Sequence, residues 1–163
     1  MAEKESFRLS IYLIIKNGNG EILLQRRQGT KLWPNYLALP AGHIAEEEDP
    51  YQVSIREAKE ELGIEIKFED LINPFVVCRR NKTLSPYFDV YFEVSEYEGN
   101  IQIMEPNKCS ELVWADINNL PKDIIPFEKT AIENYSEEIT FSTIYVDDGE
   151  ENKNNPQLKK EKK

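Results

Sequence analysis

Between Asp49 and Gly63 the sequence spells out one amphipathic helix with both ends marked, and the rest of the chain must fold around it. Asp49 is a good N-cap and Pro50 takes the first helical position. Gln52, three residues past the cap, completes a capping box. Gly63 is placed to end the helix. The spacing therefore predicts a helix over 49–62. At about 100° per residue, Tyr51, Ile55, Ala58 and Leu62 make one apolar stripe. Glu57, Glu60 and Glu61 fall within an arc of roughly 100° on nearly the opposite side. One face packs on a sheet, and the other presents three carboxylates to solvent.

Like charges three and four residues apart destabilise an isolated helix by a few tenths of a kcal/mol per pair, roughly. A hard divalent cation reverses that sign, because Mg²⁺ and Mn²⁺ take oxygen ligands and share them with substrate phosphates. Clustered carboxylates also raise one another's pKa, which makes one of them a usable general base. Acid-rich helix faces are commonly just solvated, so the three glutamates alone leave both readings open.

The flanking segments are mostly extended. Alternating and continuous apolar runs predict strands over 7–16, 22–27, 64–68, 74–80, 87–96 and 111–115, with a short extended stretch over 36–44. Asn17-Gly18-Asn19-Gly20 is a hairpin turn signal between the first two strands. A second helix is expected from Ile125 or Pro126 to Tyr135, with Phe127, Ala131, Ile132 and Tyr135 on one side. The charged segment 147–163 has almost no apolar residues and is expected to be a disordered tail to one domain over 1–146. The expected fold class is α+β, a mixed sheet with helices packed on it.

The chain's 163 residues suit one domain with a modest core. No apolar run would span a bilayer, so no membrane partner is expected, and residues 1–7 lack the apolar segment of a signal peptide. Two cysteines build no disulfide framework, and the single histidine, His43, excludes a multi-histidine metal site; a reducing, cytoplasmic setting is the expectation. Against 30 acidic residues there are only 20 Lys and Arg, a formal charge of −10 with no basic stripe before the last few residues. A nucleic-acid partner is therefore not expected. An acidic chain can still bind an anionic substrate through a divalent cation.

Gly42, Glu48, Arg56-Glu57, Glu60-Glu61, Gly63 and Ile64 occupy a fixed register: glycine, five residues, glutamate, seven residues, then Arg-Glu-x-x-Glu-Glu-x-Gly-aliphatic. This 23-residue segment resembles the Nudix box, with Ala58 in a position usually held by a bulkier aliphatic residue. Leu23 to Arg27, Leu39-Pro40-Ala41-Gly42-His43, Glu105-Pro106-Asn107-Lys108-Cys109 and Trp114 extend the resemblance over about 7–135.

The resemblance implies an α/β/α sandwich and an Mg²⁺- or Mn²⁺-dependent enzyme that hydrolyses a nucleoside diphosphate linked to a further group. Position by position it implies metal ligation by Glu57, Glu60 and Glu61, with a base from that cluster. It implies that Glu48 helps position the attacking water, that Arg56 orients the glutamates, and that the Gly42 carbonyl is a further ligand. Glu105 is a candidate metal carboxylate, and Arg27 and His43 are candidate contacts to substrate phosphates. Relatives are often dimers, so a homodimer is a candidate assembly.

For the substrate, Pro74 falls ten residues after the box rather than about fifteen, and no extra N-terminal domain is seen, both unlike the ADP-ribose class. The Glu105–Cys109 loop and Pro126-Phe127-Glu128-Lys129 resemble the MutT-like branch acting on nucleoside triphosphates. The first expectation is thus a nucleoside triphosphate, oxidised ones included, cleaved to monophosphate and pyrophosphate. ADP-ribose or another diphosphate derivative is the alternative, as is a non-catalytic ligand-binding module, which usually lacks one or more box glutamates. Isopentenyl-diphosphate isomerase is disfavoured because Ala41 stands where its cysteine belongs.

Overall fold

A computed structural model describes residues 2–82 and 84–146, and the backbone of 158–161. Its centre is β1 (Arg8–Ile15), apolar on both faces because both faces are covered. Ile11, Leu13 and Ile15 pack with Val53, Ala58 and Leu62 of α1 (Pro50–Leu62); Tyr12 and Ile14 pack with Phe127, Ala131 and Ile132 of α2 (Pro126–Ser136). Helix, sheet and helix therefore stack in three layers, and α+β describes the fold.

The remaining strands are β2 (Ile22–Arg27), β3 (Leu37–Ala38), β4 (Ala41–His43), β5 (Leu71–Asn81), β6 (Tyr87–Val94), β7 (Cys109–Ala115), β8 (Phe141–Val146) and β9 (Leu158–Glu161). A six-stranded mixed sheet runs β4-β1-β6-β5-β8-β9, with β1 parallel to β6 and β5 parallel to β8; β3-β2-β7 form a second sheet.

The helix ends match expectation. Asp49 accepts from the Gln52 N–H while the Gln52 side chain accepts from the Asp49 N–H, and Gly63 takes φ 71°. The buried set is shifted: Val53 and Ser54 are fully enclosed early in the helix, and Tyr51 and Ile55 pack only partly.

Several expected strands come out differently. The Asn17–Gly20 turn forms, with Asn17 Oδ1 accepting from the Asn19 and Glu21 N–H groups. It does not start a hairpin: after one bridge, Lys16–Ile22, the strands part, because β4 and β6 already occupy both edges of β1. The strand expected over 64–68 is a single Glu65–Glu98 bridge followed by a 3₁₀ turn at Phe68–Asp70; Ile64 and Ile66 are buried there without a ladder. β5 starts at Leu71, before Pro74, because its register shifts between Ile72 and Phe75 and frees the proline from pairing. β8, with Ser142, Thr143 and Ile144 buried, had no counterpart in the expected elements. The tail expected over 147–163 lies largely outside the described residues; the backbone of Leu158–Glu161 pairs antiparallel with β8.

Candidate active site

The Nudix-like loop and helix meet β1 at a cavity of about 560 Å³. Arg27, Gly42, His43, Glu57, Glu60, Glu61 and Glu105 all line it, so seven of the nine candidate residues converge there; Glu48 and Arg56 sit behind them. A smaller adjoining space of about 230 Å³ shares Arg27, Glu61, Glu105 and Lys108. Glu61 and Glu105 line both spaces, and Glu57 and Glu60 line the larger one alone.

Arg56 ties the site together. Its Nε and Nη2 donate to Glu48 at 2.7 and 2.9 Å, its Nη1 donates to Glu57 at 2.7 Å and Glu60 at 3.3 Å, and Nη2 also reaches the His43 carbonyl. Glu48 accepts in addition from the Ala45 N–H. The Arg56 bonds, aided by that N–H, hold the Glu48 carboxyl at about 2, so it stays ionised and acts as an anchor.

The other glutamates differ by burial. Glu60 is half exposed. Glu57 is largely enclosed, and burial raises its pKa against the pull of Arg56 and with the push of Glu60 and Glu105. Glu61 was expected to face solvent but is enclosed: burial first, then the charges of Glu57 and Glu105, push it up to about 8, opposed by the Ala41 N–H.

Among the described residues no three His, Cys, Asp or Glu side chains form a preformed metal cage. The carboxylates are instead shared out between Arg56 and the Ala41 N–H. Two features nevertheless fit a hard cation. Glu61 Oε2 is buried with no hydrogen-bond partner among the described residues. The Gly42 main chain also presses so close to Glu57 that a Cβ there would lie 2.3 Å from Glu57 Cγ.

The NUDIX domain model matches residues 6–135. The chain belongs to the NUDIX domain family. Its curated relatives include an RNA pyrophosphohydrolase of Methylococcus capsulatus, 33% identical over 72 residues, which are 44% of this chain and 36% of that protein. The match thus spans about a third of that relative's length. A MutT NUDIX hydrolase from Burkholderia pseudomallei has a TM-score of 0.63 at 23% identity, covering 79% of this chain and 98% of that one. A MutT protein from Methanosarcina mazei has a TM-score of 0.69 at 19% identity, covering 84% and 98%. These two likenesses are of fold. No helix among the described residues is long and apolar enough to cross a membrane.

The approach of Gly42 to Glu57 leaves no room for a side chain at residue 42 without moving Glu57. Gly42→Ala would push the Glu57 carboxylate aside in a rigid setting where roughly 1 Å of misplacement costs on the order of 10²-fold in rate. The expected result is a loss of that size in kcat with a melting temperature within a few degrees of the parent. Steady-state kinetics beside a thermal melt checks it, and an unchanged kcat would remove Glu57 from the machinery.

Sequence reasoning missed further polar groups of the cavity. Arg79, Ser10 and Glu128 line it, and Asp89, fully buried, holds Arg79. Burial pushes Glu128 up to about 8, while its Oε1 accepts from the Leu39 N–H at 2.7 Å. The available signal was an acid inside an aromatic strand, Tyr87-Phe88-Asp89-Val90-Tyr91, because a buried charge requires a partner.

Proposed function

We propose that this chain hydrolyses nucleoside triphosphates to monophosphate and pyrophosphate with Mg²⁺ or Mn²⁺. The observation that carries this reading is the division of the space. Glu61, Glu105 and the Arg27 and Lys108 cations line both cavities, and the larger one adds Glu57, Glu60 and the rings of Tyr12, Trp33, Tyr87 and Phe127. The larger cavity falls in the range of about 300–1,000 Å³ that holds small ligands.

Glu57, Glu60, Glu61 and Glu105, with the Gly42 carbonyl, would hold the cation, which supplies charge neutralisation on the phosphates and a more acidic water. A carboxylate of the cluster takes the proton as the water oxygen bonds to phosphorus, and the bridging P–O bond breaks with its electron pair going to pyrophosphate. Arg56 fixes the direction of Glu57 and Glu60, and Glu48 acts through Arg56. Arg27, which lines both cavities and whose Nε is buried without a partner among the described residues, would meet phosphate oxygens. A second reading, hydrolysis of a pyrophosphate bond in RNA, is supported by the Methylococcus capsulatus relative, an RNA pyrophosphohydrolase.

The test is a hydrolysis panel in Mg²⁺: ordinary and oxidised nucleoside triphosphates, ADP-ribose and triphosphorylated RNA, with product identification. Pyrophosphate plus monophosphate from free triphosphates, abolished by chelator and restored by Mg²⁺ or Mn²⁺, is the expected result. Preference for ADP-ribose or RNA would replace the substrate, and chelator-resistant turnover would overturn the mechanism.

A further inference from the structure

One wall of the cavity is built around Arg79. Its guanidinium lies between two rings, 4.2 Å from the Tyr87 centroid and 4.3 Å from the Phe127 centroid. Nε donates to Asp89 Oδ2 at 2.7 Å and Nη2 to Asp89 Oδ1 at 3.2 Å. Nε and one N–H of Nη2 are thus committed to Asp89. That leaves Nη1 and the second N–H of Nη2, a fork of parallel donors, as what Arg79 can offer the cavity it lines.

The sheet supplies the rest. Register places Ser10 beside His43 on one side and beside Asp89 on the other. Ser10 Oγ is buried, lines the cavity and has no hydrogen-bond partner among the described residues. A buried orphan hydroxyl beside a clamped arginine is unusual in a finished core and fits a subsite waiting for a polar ligand. Because Asp89 balances the arginine's charge and the walls are aromatic, the subsite suits a neutral planar group with acceptor atoms rather than another phosphate.

Resting on the triphosphate reading, we infer that Arg79, clamped by Asp89, is the specificity-determining residue for the base, and that it selects a 6-oxopurine through its O6 and N7 acceptors. A guanidinium fork matches that pair bidentately. The adenine edge replaces O6 with an N6–H₂ donor, which meets Arg79 donor to donor. The edge of 8-oxoguanine carries a hydrogen on N7, so the same fork rejects it as well. Sites built from donors discriminate strongly against ligands that present donors, because buried partners are left unpaired.

Inosine and adenosine triphosphates test this directly, since sugar and phosphates are identical. The expected kcat/KM ratio favours inosine at least tenfold, with guanosine triphosphate also preferred over its 8-oxo form. Arg79→Lys keeps the charge and loses the fork, and the ratio should fall to within threefold while chelator sensitivity is retained. The double change Arg79→Met with Asp89→Asn, which leaves no unpaired buried charge, should do the same. Equal wild-type rates on inosine and adenosine triphosphates would overturn the inference while leaving the proposed reaction standing. If no triphosphate is turned over, calorimetric binding of inosine and adenosine monophosphates decides the subsite alone: tenfold preference for the former sustains it, and equal affinity overturns it.

Discussion

Glu61→Gln is expected to lower kcat in saturating Mg²⁺ by about 10²–10⁴-fold, the range of one lost general-base or charge-stabilising group, and at the same time to make the chelator-treated protein more stable at alkaline pH. The two effects share one cause. Glu61 is enclosed beside Glu57 and Glu105, and its carboxyl is pushed up to about 8 from an ordinary value near 4.5. A group whose folded value is raised binds its proton more tightly in the folded chain. Its stabilisation is complete below about pH 4.5 and is lost as pH rises through about 8. Between pH 5 and pH 9 the parent should lose on the order of 3 kcal/mol relative to Glu61→Gln, from the linkage of pKa to stability. Thermal melts at both pH values in chelator read this directly. Mg²⁺ should restore the parent at pH 8 and leave the variant unmoved, since a ligand that binds only the folded state stabilises it. A variant with full activity, or a parent whose melting temperature does not fall toward alkaline pH, would take Glu61 out of the site.

Arg56→Lys lowers kcat by about 10²-fold, as misplaced catalytic groups do, with a small change in KM. Lysine keeps one charge but cannot hold both oxygens of Glu48 and reach Glu57 and the His43 carbonyl together. Glu48→Gln should cost a similar factor, because Glu48 reaches the site only through Arg56. The double variant should then lose little more than either single one, a coupling that residues in one network show and independent residues do not. Additive losses in a double-mutant cycle would mean that Glu48 acts on the substrate by itself.

How legible the site was from the chain alone depended on whether its parts are local. The helix at 50–62, its capping box and its glycine stop are short-range events, set by neighbours within four residues, and they formed where spacing places them. Convergence of Arg27, Gly42, His43, Glu57, Glu60, Glu61 and Glu105 was legible only through the resemblance, since these residues come from separate segments. The hairpin expected at Asn17–Gly20 shows the limit of turn chemistry. The turn is local and is present, but pairing depends on which strand edges remain open.

Burial of charge was the least legible property. The helical wheel puts Glu57, Glu60 and Glu61 on one face and assigns them one environment, yet Glu60 stays half exposed while Glu61 is largely enclosed beside Ala41 and Glu105. Sequence by itself determined the helix, its three-glutamate face and the register of the Nudix box, because those follow from periodicity and from covalent spacing. The tertiary structure alone decided that Glu61 is more enclosed than Glu60, that Glu48 pairs with Arg56, and that Arg79 is clamped by Asp89 beside Tyr87 and Phe127. Those depend on desolvation and on distances between segments far apart in the chain, which no local pattern encodes.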